Sequence, residues 1–462
     1  MNVTTRALTR PIVGIIGLAY FALLVVLLVL NHMSPLAVLA MTLGAATLVV
    51  IALRPYLGLH AFIMLLFVEN AFASRQGVTA MKLVGVLIVC GWLLSMGVRR
   101  QSPVRFDSLT IAILLFLVWS AITLLYAIDA EVAVSRTFTY IQLAGASLMF
   151  ASVVDDPVKL RGVLRALVTW SLAATCIAIA GYYLGLTRVA VGLTGNRNLL
   201  ATYIIVGVVC AYLLHQATTH RGYRVLLLLS LPVLFLGLAM TFSRTGLIVL
   251  GLALLVVWYR VAREKNFGVL LGSVAVLGVI MLLLPHDFYR RAESIVPVIQ
   301  RQEDTFGTRI RLWKSGIRMI EDSPVLGVGP GNFVVAVHRY NRGEMLLTGL
   351  SAHNTYISVA AEMGLIGVGL FGLMLWLALQ RARRAIRVAR DRGYRSWSDL
   401  AVAGEISLLV LMGSGMSATV ENLKMLWLLI GICAAMGQMY PLRPTPNASD
   451  ADMLAKAALV RS

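Results

Sequence analysis

The chain has 462 residues, 59% of them hydrophobic and only 13% charged. Soluble domains carry about 25% charged residues, so a soluble globular protein is excluded. The formal net charge of +19 follows membrane topology, as the connections below show. It is not a basic patch interleaved with aromatics on a soluble domain, which argues against nucleic acid as a partner.

Many segments reach the ~18 apolar residues that mark a membrane span. Short alternating segments, the mark of a β-barrel, are missing. The expected fold class is an all-α polytopic membrane protein, with about 12–14 transmembrane helices and one large periplasmic loop. In chain order the candidate spans are 12–30, 36–53, 57–73, 78–97, 108–127, 132–153, 162–185, 198–215, 224–240, 243–259, 267–285, 354–379, 399–417 and 423–440. Twelve spans is the alternative if two of these merge or re-enter the membrane. The first follows a basic start (Arg6, Arg10) and no small-residue cleavage pattern comes after it, so it is read as a retained helix.

Positive residues orient the spans. Alternate connections carry Arg54; Arg99, Arg100 and Arg105; Lys159, Arg161 and Arg165; Arg221 and Arg224; Arg260, Arg263 and Lys265; and the run Arg381–Arg395. The opposite connections are poor in basic residues and include Asp129 and Glu131. Both termini are therefore expected in the cytoplasm, and the run Arg381–Arg395 reads as a topology signal. The basic excess also attracts anionic membrane lipids. Four regions follow: N-terminal helices over 1–285, a periplasmic loop over 286–352, C-terminal helices over 353–440 and a loosely ordered tail over 441–462.

The long polar connection stands apart, since loops of this length usually carry function. Thr308 looks like the N-cap of a helix ending near Asp322, Ser323 and Pro324. Ile310, Trp313, Ile317 and Ile320 share one face of it, and Arg311, Lys314 and Arg318 another. That pattern suggests an amphipathic helix lying on the membrane. Gly327, Gly329 and Gly331 form a turn rather than a nucleotide loop, because no Lys-Ser/Thr follows and no strand precedes. Cys90, Cys176, Cys210 and Cys433 all lie in apolar runs, so no disulfide framework and no cysteine metal site is expected. No cofactor is called for, and the outer loop has no Asp-x-Asp pair.

Three polar sites fall on the same side of the expected topology. The first is RVAVGLTGNRN, with Arg188, Asn196, Arg197 and Asn198. The second is TFSRTG, with Arg244. The third is the stretch 308–367, with Arg309, Arg318, His353 and Asn354. Arginine suits a diphosphate because its planar guanidinium donates two parallel hydrogen bonds and stays charged. Histidine titrates near neutrality and can take a proton from a hydroxyl. Each also has a plainer reading: arginines at helix ends snorkel, and His353-Asn354 can simply start a helix. Glu362 is the buried acid that either pairs with an arginine or faces the site.

RLWKSGIRMIEDSPVLGVGPGNF followed by HNTYISVAAEMGLIG resembles the O-antigen ligase and O-antigen polymerase superfamily of bacterial membrane glycosyltransferases. Arg188, Gly192, Asn196 and Asn198, then Ser243–Gly246, look like two further elements of that family. The resemblance covers roughly residues 185–370. Where the family often has proline, this chain has Arg197, so either Arg188 or Arg197 can be the functional arginine of that loop. The resemblance implies transfer of a glycan from undecaprenyl diphosphate to a hydroxyl acceptor on the periplasmic face of the inner membrane. The acceptor is the lipid A core in ligases and a second lipid-linked glycan in polymerases. It also implies a metal-independent, inverting reaction. His353, Arg244 and Arg188 are the expected catalytic residues, and Arg197, Asn198, Arg309, Arg318 and Asn354 the expected substrate-binding ones. A protein acceptor, or a flippase using Glu69 and Glu362 as coupling acids, are the remaining alternatives.

Overall fold

The computed structural model describes residues 44, 46–47, 49–51, 53–68, 80–99, 106–187, 189–262, 305–341 and 349–439. The expected spans 12–30 and 267–285, most of 36–53, the tail and Arg188 lie outside these. The described helices are α1 (Pro55–Val68), α2 (Ala80–Arg99), α3 (Ser108–Thr123), α4 (Ala130–Val153), α5 (Pro157–Tyr183), α6 (Arg197–Ala217) and α7 (Arg221–Met240). They continue with α8 (Arg244–Val257), α9 (Thr305–Asp322), α10 (Phe333–Tyr340), α11 (Thr355–Asp391), α12 (Arg395–Ser414) and α13 (Lys424–Met439). There is no strand among the described residues, and the protein is an all-α polytopic membrane protein.

Among the described residues six helices, beginning at Ser108, Pro157, Arg197, Arg221, Thr355 and Arg395, are long and apolar enough to cross a membrane. Pro55–Val68, Gly85–Met96 and Lys424–Met439 are apolar but shorter. Helix α4 has the length, at 24 residues, but carries Arg136, Thr139 and Gln142 along it. Polar side chains set most of the starts. Asp107, Asp129, Asp156, Asn196, Ser243 and Asn354 each accept a backbone N–H of the first turn that follows. Each such cap contributes about 1 kcal/mol.

Helix α6 is the core of the bundle: every residue from Leu200 to Ala211 is buried. It packs against α5, α7, α8 and α12. A second group joins α3, α4, α11 and α13 through an aromatic cluster. The Phe116 ring lies 5.2 Å from Tyr140, 6.0 Å from Phe371 and 6.2 Å from Trp427. Small residues bring α13 against α4: a Cβ on Gly431 would sit 2.4 Å from the Ser147 carbonyl oxygen.

The two ends of the bundle differ in chemistry. At the basic end, Arg260 and Arg383 both reach the buried Glu405, at 2.7 and 2.9 Å. Arg381 meets Asp107 at 2.9 Å, and Arg390 donates to the Arg260 carbonyl. The run expected only as a topology signal is thus also the tie between α3, α8, α11 and α12. Its helix continues to Asp391, beyond the expected end at 379. The opposite end, called the loop end below, gathers the starts of α4, α6, α8, α11 and α13.

The stretch 305–341 departs from expectation in three ways. Its helix starts at Thr305, so Thr308 is not the cap; its hydroxyl instead accepts from the Arg311 guanidinium at 3.3 Å. The inward face is Leu312, Ser315, Gly316 and Met319, while Ile317 is 47% exposed. Helix α9 packs this face on protein: a Cβ on Gly316 would come within 2.5 Å of Ile357 on α11. Third, residues expected as plain connection form α10, whose Phe333, Ala336 and Val337 are buried at helical spacing.

Candidate functional site

The glycine turn closes a break in α11. Gly364 has φ +68 and interrupts the helix, which frees three carbonyls and one N–H. Each finds a partner. Val328 N–H donates to the Ala361 carbonyl and Gly329 N–H to that of Glu362, both at 2.9 Å. The Trp119 indole donates to the Met363 carbonyl at 2.8 Å, and Leu365 N–H donates to Pro324 at 2.8 Å. The Glu362 carboxylate accepts from Gly331 N–H at 2.7 Å and from Phe333 N–H at 3.3 Å. Its carboxylate thus bonds the turn itself, and Arg136 lies near enough to attract it, as the arginine-pairing reading expected. The close approach explains the glycine, since a Cβ on Gly364 would lie 1.9 Å from the Val325 oxygen.

Helix α9 and the connection after α12 flank His353. The Trp313 indole donates to the Ala352 carbonyl at 3.0 Å, immediately before the histidine. Immediately after it, Asn354 caps α11 and its amide donates to the Met416 carbonyl at 3.2 Å. Between these anchors His353 sits at φ +47, partly buried. A left-handed histidine costs on the order of 1 kcal/mol or more and persists only where its surroundings impose it.

The connection between α12 and α13, residues 415–423, joins the other elements. Thr355 N–H donates to the Gly415 carbonyl at 2.8 Å, and its hydroxyl donates to the Ala418 carbonyl at 2.9 Å. Ser417 bonds Thr245 of the SRTG element at 3.1 Å. Ser243 caps α8 and donates to Asn198 at 2.8 Å, which ties SRTG to the start of α6. Asn198, Arg244 and Asn354 are thereby brought into one hydrogen-bonded frame, with His353 on its edge. Arg197 and Arg244 are the first residues of α6 and α8; Arg197 is partly buried and Arg244 exposed. Helix N-termini carry partial positive charge and favour anions, and those of α4, α6, α8, α11 and α13 lie at this end.

The α9 arginines stand differently. Arg318 donates to the Tyr340 carbonyl at 2.6 Å, and the Tyr340 hydroxyl donates to Asp322 at 2.6 Å. Both bonds fasten α10 to α9. Loss of hydration and the Asp322 carboxylate push the Tyr340 phenol up to about 12. Arg309 lies on the same helix, half-buried. Among the described residues no group of three His, Cys, Asp or Glu side chains gathers as a metal site.

Sequence reasoning missed the 415–423 connection entirely, together with Arg136 and Glu421. Arg136 approaches Glu421 at 3.9 Å and Glu421 is almost fully buried. A buried acid beside an arginine on a membrane helix was the available signal.

No curated protein matches the chain. A family model described as O-antigen ligase matches residues 225–372. That region contains SRTG, the glycine turn, His353 and the broken start of α11. The match supports a ligase- or polymerase-like function for that region. The match over residues 225–372 supports the O-antigen ligase and polymerase superfamily as the family of this membrane protein.

Proposed function

We propose that this protein is a ligase that moves a glycan from undecaprenyl diphosphate to a hydroxyl of the lipid A core, on the periplasmic face of the inner membrane. The observation that carries the reading is His353, held in a left-handed backbone between Trp313 and Asn354 at the end where Arg197 and Arg244 open their helices. In the proposed step the acceptor hydroxyl attacks the anomeric carbon from the face opposite the diphosphate. The new C–O bond forms as the bond to the diphosphate breaks, and the configuration inverts. His353 takes the hydroxyl proton. Arg244 and Arg188 neutralise the leaving diphosphate, whose departure needs charge more than a proton, so the step calls for no metal. Arg197, Asn198, Arg309 and Asn354 line the substrate path. Arg318 joins them with one donor already committed to Tyr340.

The test is complementation of a strain that lacks the gene, with wild type, His353→Ala and Arg244→Ala at matched expression. Lipopolysaccharide and lipid-linked glycans are separated side by side. Both variants should leave core without long chains and accumulate glycan on undecaprenyl diphosphate. Removing a general base or a charge-stabilising donor costs roughly 10²–10⁴-fold in rate. Full transfer by His353→Ala would remove the base assignment. Core bearing a single repeat in the deletion strain would point to a polymerase, and unchanged lipopolysaccharide to a different acceptor.

A further inference from the structure

A cavity of about 500 Å³ opens at the loop end between α1, α2, α4 and the start of α13. Small-molecule sites span roughly 300–1,000 Å³. Helix α4 presents three faces there. Val134, Phe138 and Ile141 are at least half exposed, as suits lipid. Ala133, Thr137, Tyr140 and Ala144 are buried in the bundle. The third face lines the cavity and is polar: Ser135, Thr139 and Gln142 follow at helical spacing, with Arg136 beside them.

Such side chains along a membrane helix are costly and mark a partner or a cavity with a purpose. Packing does not account for them here. Thr139 donates to the Ser135 carbonyl of its own helix at 2.9 Å, which leaves its oxygen free to accept. Gln142 makes no hydrogen bond among the described residues. Asn422 and Lys424 complete the wall, and Glu131 contributes a carboxylate. Arg136 meets Glu421 only at 3.9 Å, with its side chain 26% exposed, so guanidinium donors remain for a ligand.

The set mixes hydroxyls, amides, donors of both basic types and one carboxylate. A phosphate headgroup accepts only and is repelled by a carboxylate such as Glu131, whereas sugar hydroxyls each donate and accept and suit this mixture. The apolar face of α4 next to the opening would accompany a lipid tail. We infer that this cavity holds the saccharide head group of a membrane-anchored glycolipid, as an acceptor-side site separate from the His353 frame. The word acceptor rests on the function proposed above; the saccharide site does not. The α12–α13 connection links the two, since Asn422 lines the cavity while Ser417 and Ala418 bond the frame.

The experiment is photolabelling of the full chain in nanodiscs with a diazirine-bearing alkyl maltoside, read by peptide mass spectrometry. Labelling should concentrate on residues 131–143. Excess dodecyl maltoside should chase it and phosphatidylglycerol should not. Gln142→Leu and Thr139→Val should each weaken it about tenfold, the loss of one or two hydrogen bonds to a sugar, in protein that melts as wild type does. Labelling of 131–143 unchanged in both variants, or chased equally by phosphatidylglycerol, would overturn the site. Because no transfer is read, labelling that survives in a chain inactive on every glycan donor would uphold the cavity and sink only the ligase reading.

Discussion

The residues that matter at the loop end are held by neighbours more than by their own helices, and Glu421 is the sharpest case. Burial, and then the nearby Glu362, push its carboxyl from 4.5 up to about 7, against the pull of Arg136. Its folded pKa is thus raised above the unfolded one. Between pH 4.5 and 7 the folded chain keeps a proton that the unfolded chain has lost, so stability falls as pH rises through that window. Below pH 4.5 the contribution is fully present; above about 7 it is gone. The total is on the order of a few kcal/mol. Wild type should therefore lose several degrees of melting temperature between pH 5.5 and 8, and Glu421→Gln should hold nearly level. Parallel losses in the two proteins would show that another group titrates. The acid was hard to find in VENLK because a glutamate two residues before an apolar run reads as an ordinary interfacial residue. The packing of α4 and α11 around it buries it. His353 differs: its neighbours HNTY and the preceding polar stretch marked it in sequence, whereas its φ of +47 arises from Trp313, forty positions upstream, and was not legible.

At the scale of elements, apolar runs placed the helices well, because a membrane span must bury its backbone polarity within itself. The expected spans over 108–127, 198–215 and 224–240 coincide with α3, α6 and α7. What the pattern hid was the break in α11. Hydropathy runs unbroken through MGLIGVGLFG, so nothing local signals that Gly364 leaves the helical region. The break exists because the turn 324–329 supplies the missing hydrogen bonds from a distant part of the chain. The site's rigidity depends on that clasp, which predicts a contrast between two glycines of one helix. Gly364→Ala meets the Val325 oxygen and a positive φ, and should cost roughly 1–3 kcal/mol together with most transfer activity. Gly369→Ala meets nothing within 4 Å and should be neutral, or stabilising by up to about 1 kcal/mol through helix propensity. Thermal melts in one detergent decide it. Equal melting temperatures would mean that the turn merely rests on α11.

For the whole molecule, the two ends have opposite designs, and their placement across the membrane follows from charge. One end concentrates arginines around acids: Glu405 is fully buried and met by Arg260 and Arg383. Removing one partner of such a buried group costs ~3–5 kcal/mol, so these pairs tie the helices of this end together. The other end has helix starts, a glycine clasp and a polar cavity. Basic residues are retained on the cytoplasmic side during insertion, so the basic end should face the cytoplasm and the His353 frame the periplasm. A donor glycan too polar to cross the bilayer would then meet the frame from outside. Single cysteines on exposed positions test this in a background where Cys90, Cys176, Cys210 and Cys433 are replaced by serine or alanine. Arg339→Cys lies in α10 at the loop end, and Arg392→Cys in the turn between α11 and α12; both parent side chains are exposed. A charged, membrane-impermeant maleimide applied to cells with a permeable outer membrane should label the first at once and the second only after the inner membrane is opened. The reverse order would turn the protein over. It would place His353 among cytoplasmic donors, and the ligase reading would fall with the topology even if every contact within the frame were right.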